Sequence, residues 1–181
     1  RQAYYDRTDR EFRGFGLVLQ TDTDSSTDTQ HLQGFSAPVR TKTWFHTGQS
    51  IDMPTLGHST HDPQAKAMGR TLVSRYKATA GAQPLDHHDD LISDPAPSLA
   101  REVARALSGS VLRVEVTAAD PAQDAVPYTV TQQRYLIREL APNSAHTPYA
   151  RLLPLALESI SYQYEGVEDD PVCQHQINLR W

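Results

Sequence analysis

The most regular feature of the sequence is an alternation of hydrophobic and polar positions in its C-terminal part. From 111 to 116 the even positions are hydrophobic, and Arg113 and Glu115 lie between them. A period of two places successive side chains on opposite faces of a β-strand. The same period predicts three further strands, at 128–140, 159–165 and 175–181. Turn-like segments separate these four strands, which favours an antiparallel meander with one face exposed to water.

The N-terminal part predicts two more strands, at 15–21 and 39–47. Both are rich in the β-branched and aromatic residues that favour a pleated, half-buried surface. A polar run at 22–33 separates them. This part of the chain is therefore also predicted to be β-structure.

Between 61 and 109 the pattern changes from strand to helix. Hydrophobic residues recur at helical spacing between Ser98, which we predict as the N-cap, and Gly109, just past the helix end. A weaker second helix is predicted over 63–80. Three prolines make 81–97 the most loop-like part of the chain.

These patterns predict a mainly β protein of antiparallel strands with one helical excursion at about 63–109. We divide it into a β segment (1–50), a helical excursion with a loop (61–109) and a β meander (110–181). The chain starts without Met and without the basic and apolar regions of a secretory signal. We therefore expect a single module excised from a larger protein.

Composition narrows the function classes. The chain has 181 residues, a formal net charge of −5 and one cysteine, Cys173. A chain of this size can bury a core without cross-links, and a single cysteine excludes an intrachain disulfide and a four-thiolate zinc site. The acidic balance provides no basic field for nucleic acid, and no apolar run reaches the ~18 residues of a membrane-spanning helix.

Two histidine-rich groups contain side chains that could bind a metal. One comprises His58, His61 and Asp62, and the other is the run from His87 to Asp90. Imidazole and carboxylate ligands suit zinc or iron when rigid elements hold three of them about one ion. Both groups fall in predicted loops without a recognised spacing, so solvated polar loops are the favoured interpretation.

Two acidic segments raise the question of a calcium site. Asp22 to Asp28 carries oxygen ligands at alternate positions, but it lacks Gly at the sixth position and has Gln33 at the twelfth. These departures exclude an EF-hand, and an irregular calcium site remains only as a less favoured alternative. The second segment, 165–170, precedes Pro171 and is better explained as a turn between strands.

Candidate nucleophilic and sugar-binding side chains also have a simpler structural explanation. Cys173 and His175 fall on one face of a predicted strand, but no third orienting group is evident, so we expect a buried, unreactive cysteine. Aromatic residues could form a sugar-binding platform, although strand aromatics are more often core pairs. These aromatic residues are Tyr4, Tyr5, Trp44, Tyr162, Tyr164 and Trp181.

Several ordered motifs resemble one known family. The chain opens with YYD and REFRGFG at 4–16, and TKTWFHTG follows at 41–48. Further matches in the same order are RALSGSVLR at 105–113, PYTVT at 127–131, ESISYQYE at 158–165 and HQINL at 175–179. Together they resemble the middle/C-terminal region of the B component of bacterial Tc insecticidal toxin complexes, a family related to Rhs, YD-repeat and SpvB proteins.

The resemblance implies a structural role. In that family the B and C components form a hollow shell of β-strands around a cytotoxic effector, and a pore-forming A component is bound through other domains. The expected protein is therefore a secreted, non-catalytic wall segment of an Rhs-type β-shell. Its expected partner is a C-type component with its effector, without nucleic acid or direct membrane contact. No catalytic, cofactor-binding or metal-binding residue is assigned.

A segment of a continuous sheet should carry unpaired edge strands, which favour pairing with another strand. The strand that contains Ile177 and Leu179 is the expected exposed edge. We expect the isolated chain to self-associate through it.

Two other classes of function remain as alternatives. The first is a carbohydrate- or calcium-binding module of a secreted Rhs-type protein, which would use the acidic loop or the aromatic faces. The second is a metal-dependent hydrolase that would use His58, His61, His87 and His88.

Overall fold

The computed structural model describes residues 3–22, 38–49, 51, 68, 70–77, 88–119, 126–164 and 168–179. One helix, α1 (Pro97–Ala106), and ten strands lie within these ranges. The strands are β1 (Ala3–Asp6), β2 (Glu11–Phe15), β3 (Leu17–Thr21), β4 (Val39–Phe45), β5 (Leu72–Lys77), β6 (His88–Leu91), β7 (Val111–Ala118), β8 (Thr129–Ala141), β9 (Arg151–Gln163) and β10 (Val172–Ile177). In the same ranges, no helix is long and apolar enough to cross a membrane.

Eight of the described strands form one sheet, and β1 and β2 form a separate hairpin. The main path of the sheet runs β10-β9-β8-β7-β4-β3, with every neighbour antiparallel. β8 is the central strand. β9 pairs with one side of it along its length, while β7 and β5 pair with its first and second halves on the other side. The expected antiparallel meander β7-β8-β9-β10 is therefore confirmed.

Helix α1 covers part of one face of the sheet. Val103 and Leu107 are fully buried against Val73 of β5 and Ile137 of β8. This spacing of four residues places both helical side chains on the face that meets the sheet. A second buried cluster joins Val130 of β8 to aromatic residues at the end of β9. These two clusters, one at each half of β8, form the hydrophobic core of the described residues.

The predicted N-cap of α1 is wrong by two residues. The helix starts after Ala96, which makes no side-chain capping bond, and Ser98 lies inside the first turn. Pro97 takes the first helical position, where its missing N–H costs nothing and its fixed φ already suits a helix. Gly109 lies just past the helix end with φ +84°, as the sequence predicts.

The predicted second helix is wrong over the residues that the structure describes as β5. Leu72–Lys77 is a strand that pairs in parallel with β8 and antiparallel with β6. Side chains four residues apart fit a helix, but pairing with β8 buries Val73 beside Ile137, and that tertiary contact overrides the local pattern. β6 likewise lies within the segment predicted as a loop.

The hairpin β1–β2 lies within the predicted β segment 1–50, but its two strands are not predicted individually. Its ladder carries a β-bulge: Tyr4 pairs with Gly14 and Tyr5 with Phe12, so Arg13 is the extra residue. A bulge shifts the side-chain alternation by one residue and so conceals the period of two. The predicted strand 15–21 is interrupted at Gly16, where β2 ends and β3 begins.

Candidate functional site

The alternation predicted for β7 is present, but its polar side is the more deeply buried one. Arg113 is 1% exposed and Glu115 is 4% exposed, whereas the hydrophobic residues that alternate with them, Leu112, Val114 and Val116, are half-buried. The expectation that the polar face of the meander meets water is therefore wrong for β7. Burying charged side chains is costly unless they are paired, so their partners decide whether this arrangement is stable.

Arg113 and Glu115 pair with each other. The Arg113 Nε donates to Glu115 Oε1 at 2.8 Å, and Nη2 lies 2.6 Å from the same oxygen. Gln132 of β8 lies directly opposite Arg113 in the ladder. Nη1 of Arg113 and Oε1 of Gln132 are both buried and have no hydrogen-bond partner among the described residues. The buried side of β7 thus contains an ion pair next to one donor and one acceptor that have no hydrogen-bond partner among the described residues.

The block at 44–48 joins the end of β4 to the end of α1. His46 is buried, its backbone N–H donates to the Ser110 carbonyl at 2.9 Å, and its carbonyl accepts from the Gly109 N–H at 2.8 Å. Its ring meets the Tyr135 ring edge-on at 6.0 Å. Desolvation by burial lowers the pKa of His46 from 6.5 to about 4, so the ring is neutral at pH 7.

Gly48 completes this junction. It has φ +79°, and a Cβ at this position would lie 3.3 Å from the backbone oxygen of Ala104. Glycine is therefore required both by the left-handed backbone and by the close approach of α1. The contacts of the block at 44–48 are thus packing contacts between strand and helix.

The outer edge of the sheet is strand β10, as the sequence predicts. All six residues of β10 are exposed, with Val172 at 64% and Ile177 at 51%. The Asn178 N–H donates to Leu157 O at 2.8 Å. Because hydrogen-bonded pairs alternate along an antiparallel ladder, the even-numbered residues of β10 bond to β9. The backbone N–H groups of Cys173, His175 and Ile177 therefore point away from the sheet.

The histidine-rich groups do not form a metal site in the described part of the chain. His58, His61, Asp62 and His87 lie outside the described residues. Asp89 and Asp90 lie in β6 rather than in a loop, and both are engaged in ion pairs or hydrogen bonds. Asp89 Oδ2 accepts from Ser74 Oγ at 2.9 Å and from Arg138 Nε at 2.7 Å, while Asp90 pairs with Lys77. No group of three metal-competent side chains occurs among the described residues.

The acidic segments are only partly described. Residues 23–28 of the first segment lie outside the described residues. In the second segment, Glu168, Asp169 and Asp170 are exposed and lie in the turn between β9 and β10, as the sequence predicts.

Cys173 is exposed, so the prediction of a buried cysteine is wrong. His175 follows two residues later on the same face, and its Nε2 lies 2.7 Å from Glu158 Oε1. Glu158 in turn accepts from Arg134 at 3.2 Å. No hydrogen bond joins the thiol to the imidazole within the described residues. The arrangement therefore lacks the contact between nucleophile and base that cysteine catalysis requires.

The aromatic residues that could form a sugar-binding platform are dispersed. Trp44, Tyr162 and Tyr164 are 2–3% exposed and belong to the interior. Trp181 lies outside the described residues, and Tyr5 lies on the separate hairpin. Buried rings offer no face to a sugar, so they act as core residues.

Comparisons with known proteins connect these features to a family. Residues 1–48 match a model described as the insecticide toxin TcdB middle/N-terminal region, and residues 102–181 match one described as the insecticide toxin TcdB middle/C-terminal region. The two matches together cover more than two thirds of the chain. No curated protein matches the sequence significantly.

Solved structures match almost the whole chain. A TcdB2–TccC3 structure without its hypervariable C-terminal region matches over 99% of this chain, with 26% identity and a TM-score of 0.74. The structure of a Photorhabdus luminescens Tc holotoxin pore matches over 98%, with 27% identity and a TM-score of 0.71. In both cases the match spans 8% of the longer chain.

Proposed function

Because the chain belongs to the TcdB-type insecticidal toxin proteins, as a piece of their middle region, we propose that it is a wall segment of a β-shell that encloses a cytotoxic effector. The family expected from the sequence motifs is confirmed, and the chain contains parts of two of the family's regions. The first 48 residues correspond to the middle/N-terminal region, and the middle/C-terminal region begins at Glu102. Residues 49–101 contain both histidine-rich groups and match neither model.

The observation that carries the proposal is the match of nearly the whole chain to TcdB2–TccC3 structures, combined with the bare outer edge of the sheet. A wall segment needs strands that continue into neighbouring segments, and the odd-numbered residues of β10 offer backbone groups that pair with no other strand among the described residues. The role needs no catalytic residue or cofactor, and we propose none.

The proposed partners follow from the same matches. A C-type component with its effector would complete the shell, and a pore-forming A component would receive the effector through other domains of the longer protein. The complex would act outside the cell that produces it. The structures named for TcdB2–TccC3 and for a Tc holotoxin pore support this set of partners.

The test is protease protection of the effector in a complex of the full-length protein with a C-type component. Enclosure predicts that the effector resists a protease that rapidly digests it when it is free. Digestion at the free rate inside an intact complex would contradict enclosure.

A backbone variant then tests the role of β10. Cys173→Pro removes an outward N–H without removing a bond to β9, and proline is tolerated on an edge strand in that orientation. If the sheet continues past β10, this variant exposes the effector to protease, whereas the control Cys173→Ala leaves it protected. Equal protection in both variants would show that β10 is a free edge.

A further inference from the structure

The β-bulge in the hairpin gathers aromatic side chains on one face. Partners in an antiparallel ladder share a face, so Phe12 lies with Tyr5, and Phe15 lies with Ala3. Ala3 and Tyr5 are two residues apart on β1 and therefore also share that face. Without the extra residue Arg13, Phe12 and Phe15 would point in opposite directions, because they are three positions apart.

These three aromatic residues, Tyr5, Phe12 and Phe15, form what we call the aromatic face. Each is 53–54% exposed, and the rings of the two phenylalanines meet edge-on with centroids 5.4 Å apart. An exposed cluster of large apolar side chains is unfavourable in water and is typical of an interaction surface. The aromatic face is therefore a candidate interaction surface.

Ion pairs on the opposite side of the hairpin fix its orientation. Arg13 Nη2 lies 2.8 Å from Asp9 Oδ2 and 3.5 Å from Asp6 Oδ2. Arg101 of α1 donates to Asp9 Oδ1 at 2.7 Å, and Ser108 Oγ donates to the Arg13 carbonyl at 3.4 Å. Because the hairpin is bound to the helix through this inner side, the aromatic face points outward.

We propose that the aromatic face packs against an apolar surface elsewhere in the same longer polypeptide. This inference rests on the proposed function, in which the chain is one segment of a TcdB-type protein. The chain spans only 8% of the TcdB2–TccC3 chain that it matches, so most of the surface available to it belongs to the same molecule. Exposed aromatic residues such as these are typical of the desolvated centre of an interface. A hairpin already held in place also loses little conformational entropy when it docks.

Hydroxyl-radical footprinting of the full-length protein tests this proposal without any substitution. The rate of oxidation at each aromatic residue is compared with its rate in the unfolded protein. The expected result is that Phe12 and Phe15 react at least about fivefold more slowly than in the unfolded protein, since a covered ring loses most of its contact with water. Trp44, which is buried within this chain, is the internal reference for full protection.

Three outcomes would overturn the proposal. Oxidation near the unfolded rate would show that the face stays in water. Protection that disappears on dilution would identify a second copy of the protein as the partner. Protection that requires the C-type component would assign the face to that component instead.

The experiments distinguish a failure of the packing inference from a failure of the proposed function. If the effector is digested in the complex while Phe12 and Phe15 are protected, enclosure is wrong and the packing inference stands. If the effector is protected while both rings oxidise freely, the packing inference alone is wrong.

Discussion

The interior of the sheet and its outer edge reverse the usual distribution of polar and apolar side chains. On β7, the charged pair Arg113–Glu115 is almost completely buried. On β10, Val172 and Ile177 are more than half exposed. Alternation in the sequence predicts a strand at both places, so the difference lies in what covers each strand.

This contrast fits a segment whose surroundings are incomplete at one side. Hydrophobic burial stabilises a fold only where another surface is present to exclude water. A buried ion pair, in contrast, contributes little net stability and becomes costly when one partner is removed. The two regions should therefore respond very differently to substitution.

The largest effect is expected from breaking the buried pair. Glu115→Ala leaves the Arg113 guanidinium buried without its carboxylate partner and should lower the free energy of unfolding by about 3–5 kcal/mol. Urea denaturation of the purified chain measures this change.

A double substitution separates the loss of the pair from the loss of packing. Arg113→Met combined with Glu115→Leu removes both charges and retains the buried volume, so it should be neutral within about 1 kcal/mol or stabilising. If Glu115→Ala alone costs less than about 1 kcal/mol, water reaches the pair and the interior is not closed.

Much of the sheet could be predicted from the sequence because it depends on local alternation. β7, β8 and the later part of β9 follow a period of two, and Gly109 marks the end of α1. β5 could not be predicted, because its pairing with β8 is a contact between residues far apart in the chain. The hairpin was concealed by the bulge at Arg13, which shifts the alternation.

The candidate site was less accessible to sequence analysis. Alternation separates two faces of a strand but does not say which face is covered, so Arg113 and Glu115 were expected to meet water. The exposure of Cys173 was missed for the same reason, since no layer covers β10 in the described residues. The sequence did contain a signal for the junction at 44–48. His46 and Gly48 come directly after the end of β4, and Gly109 comes just after the end of α1.

The second largest effect on the free energy of unfolding is expected from protonation of the buried His46 at low pH. His46 has a folded-state pKa of about 4, below its ordinary value of 6.5, so the unfolded chain binds the proton more readily. Its contribution to stability is complete above pH 6.5 and is lost as the pH falls toward 4, where the loss reaches about 3 kcal/mol.

The contribution of His46 can be isolated from that of the carboxylates by a difference measurement. His46→Gln removes the titrating ring, so the unfolding free energy of this variant should fall less between pH 7 and pH 4 than that of the unaltered chain. Parallel pH profiles for the two proteins would mean that the imidazole is hydrated in the folded state.

A smaller effect is expected at the strand–helix junction. Gly48→Ala combines a left-handed backbone with a Cβ placed 3.3 Å from Ala104 O and should cost about 2–3 kcal/mol. Gly109→Ala has a similar φ but open space around its Cβ, so its cost should be about 1–2 kcal/mol. Thermal unfolding of both variants gives the difference, and equal costs would show that α1 moves to accommodate the methyl group.

The smallest effect provides the most direct comparison of the two regions, because the same substitution can be made in each. Val130 of β8 is fully buried and Val172 of β10 is 64% exposed. Threonine keeps the size and β-branching of valine, so Val→Thr changes only the polarity of one methyl-sized group. Val130→Thr should cost about 1–3 kcal/mol because it buries a hydroxyl, whereas Val172→Thr should stay within about 0.5 kcal/mol. In the full-length protein the second value should rise toward the first where another part of the molecule packs on the face of β10 that carries Val172; a value that stays small there as well would show that this face remains in water.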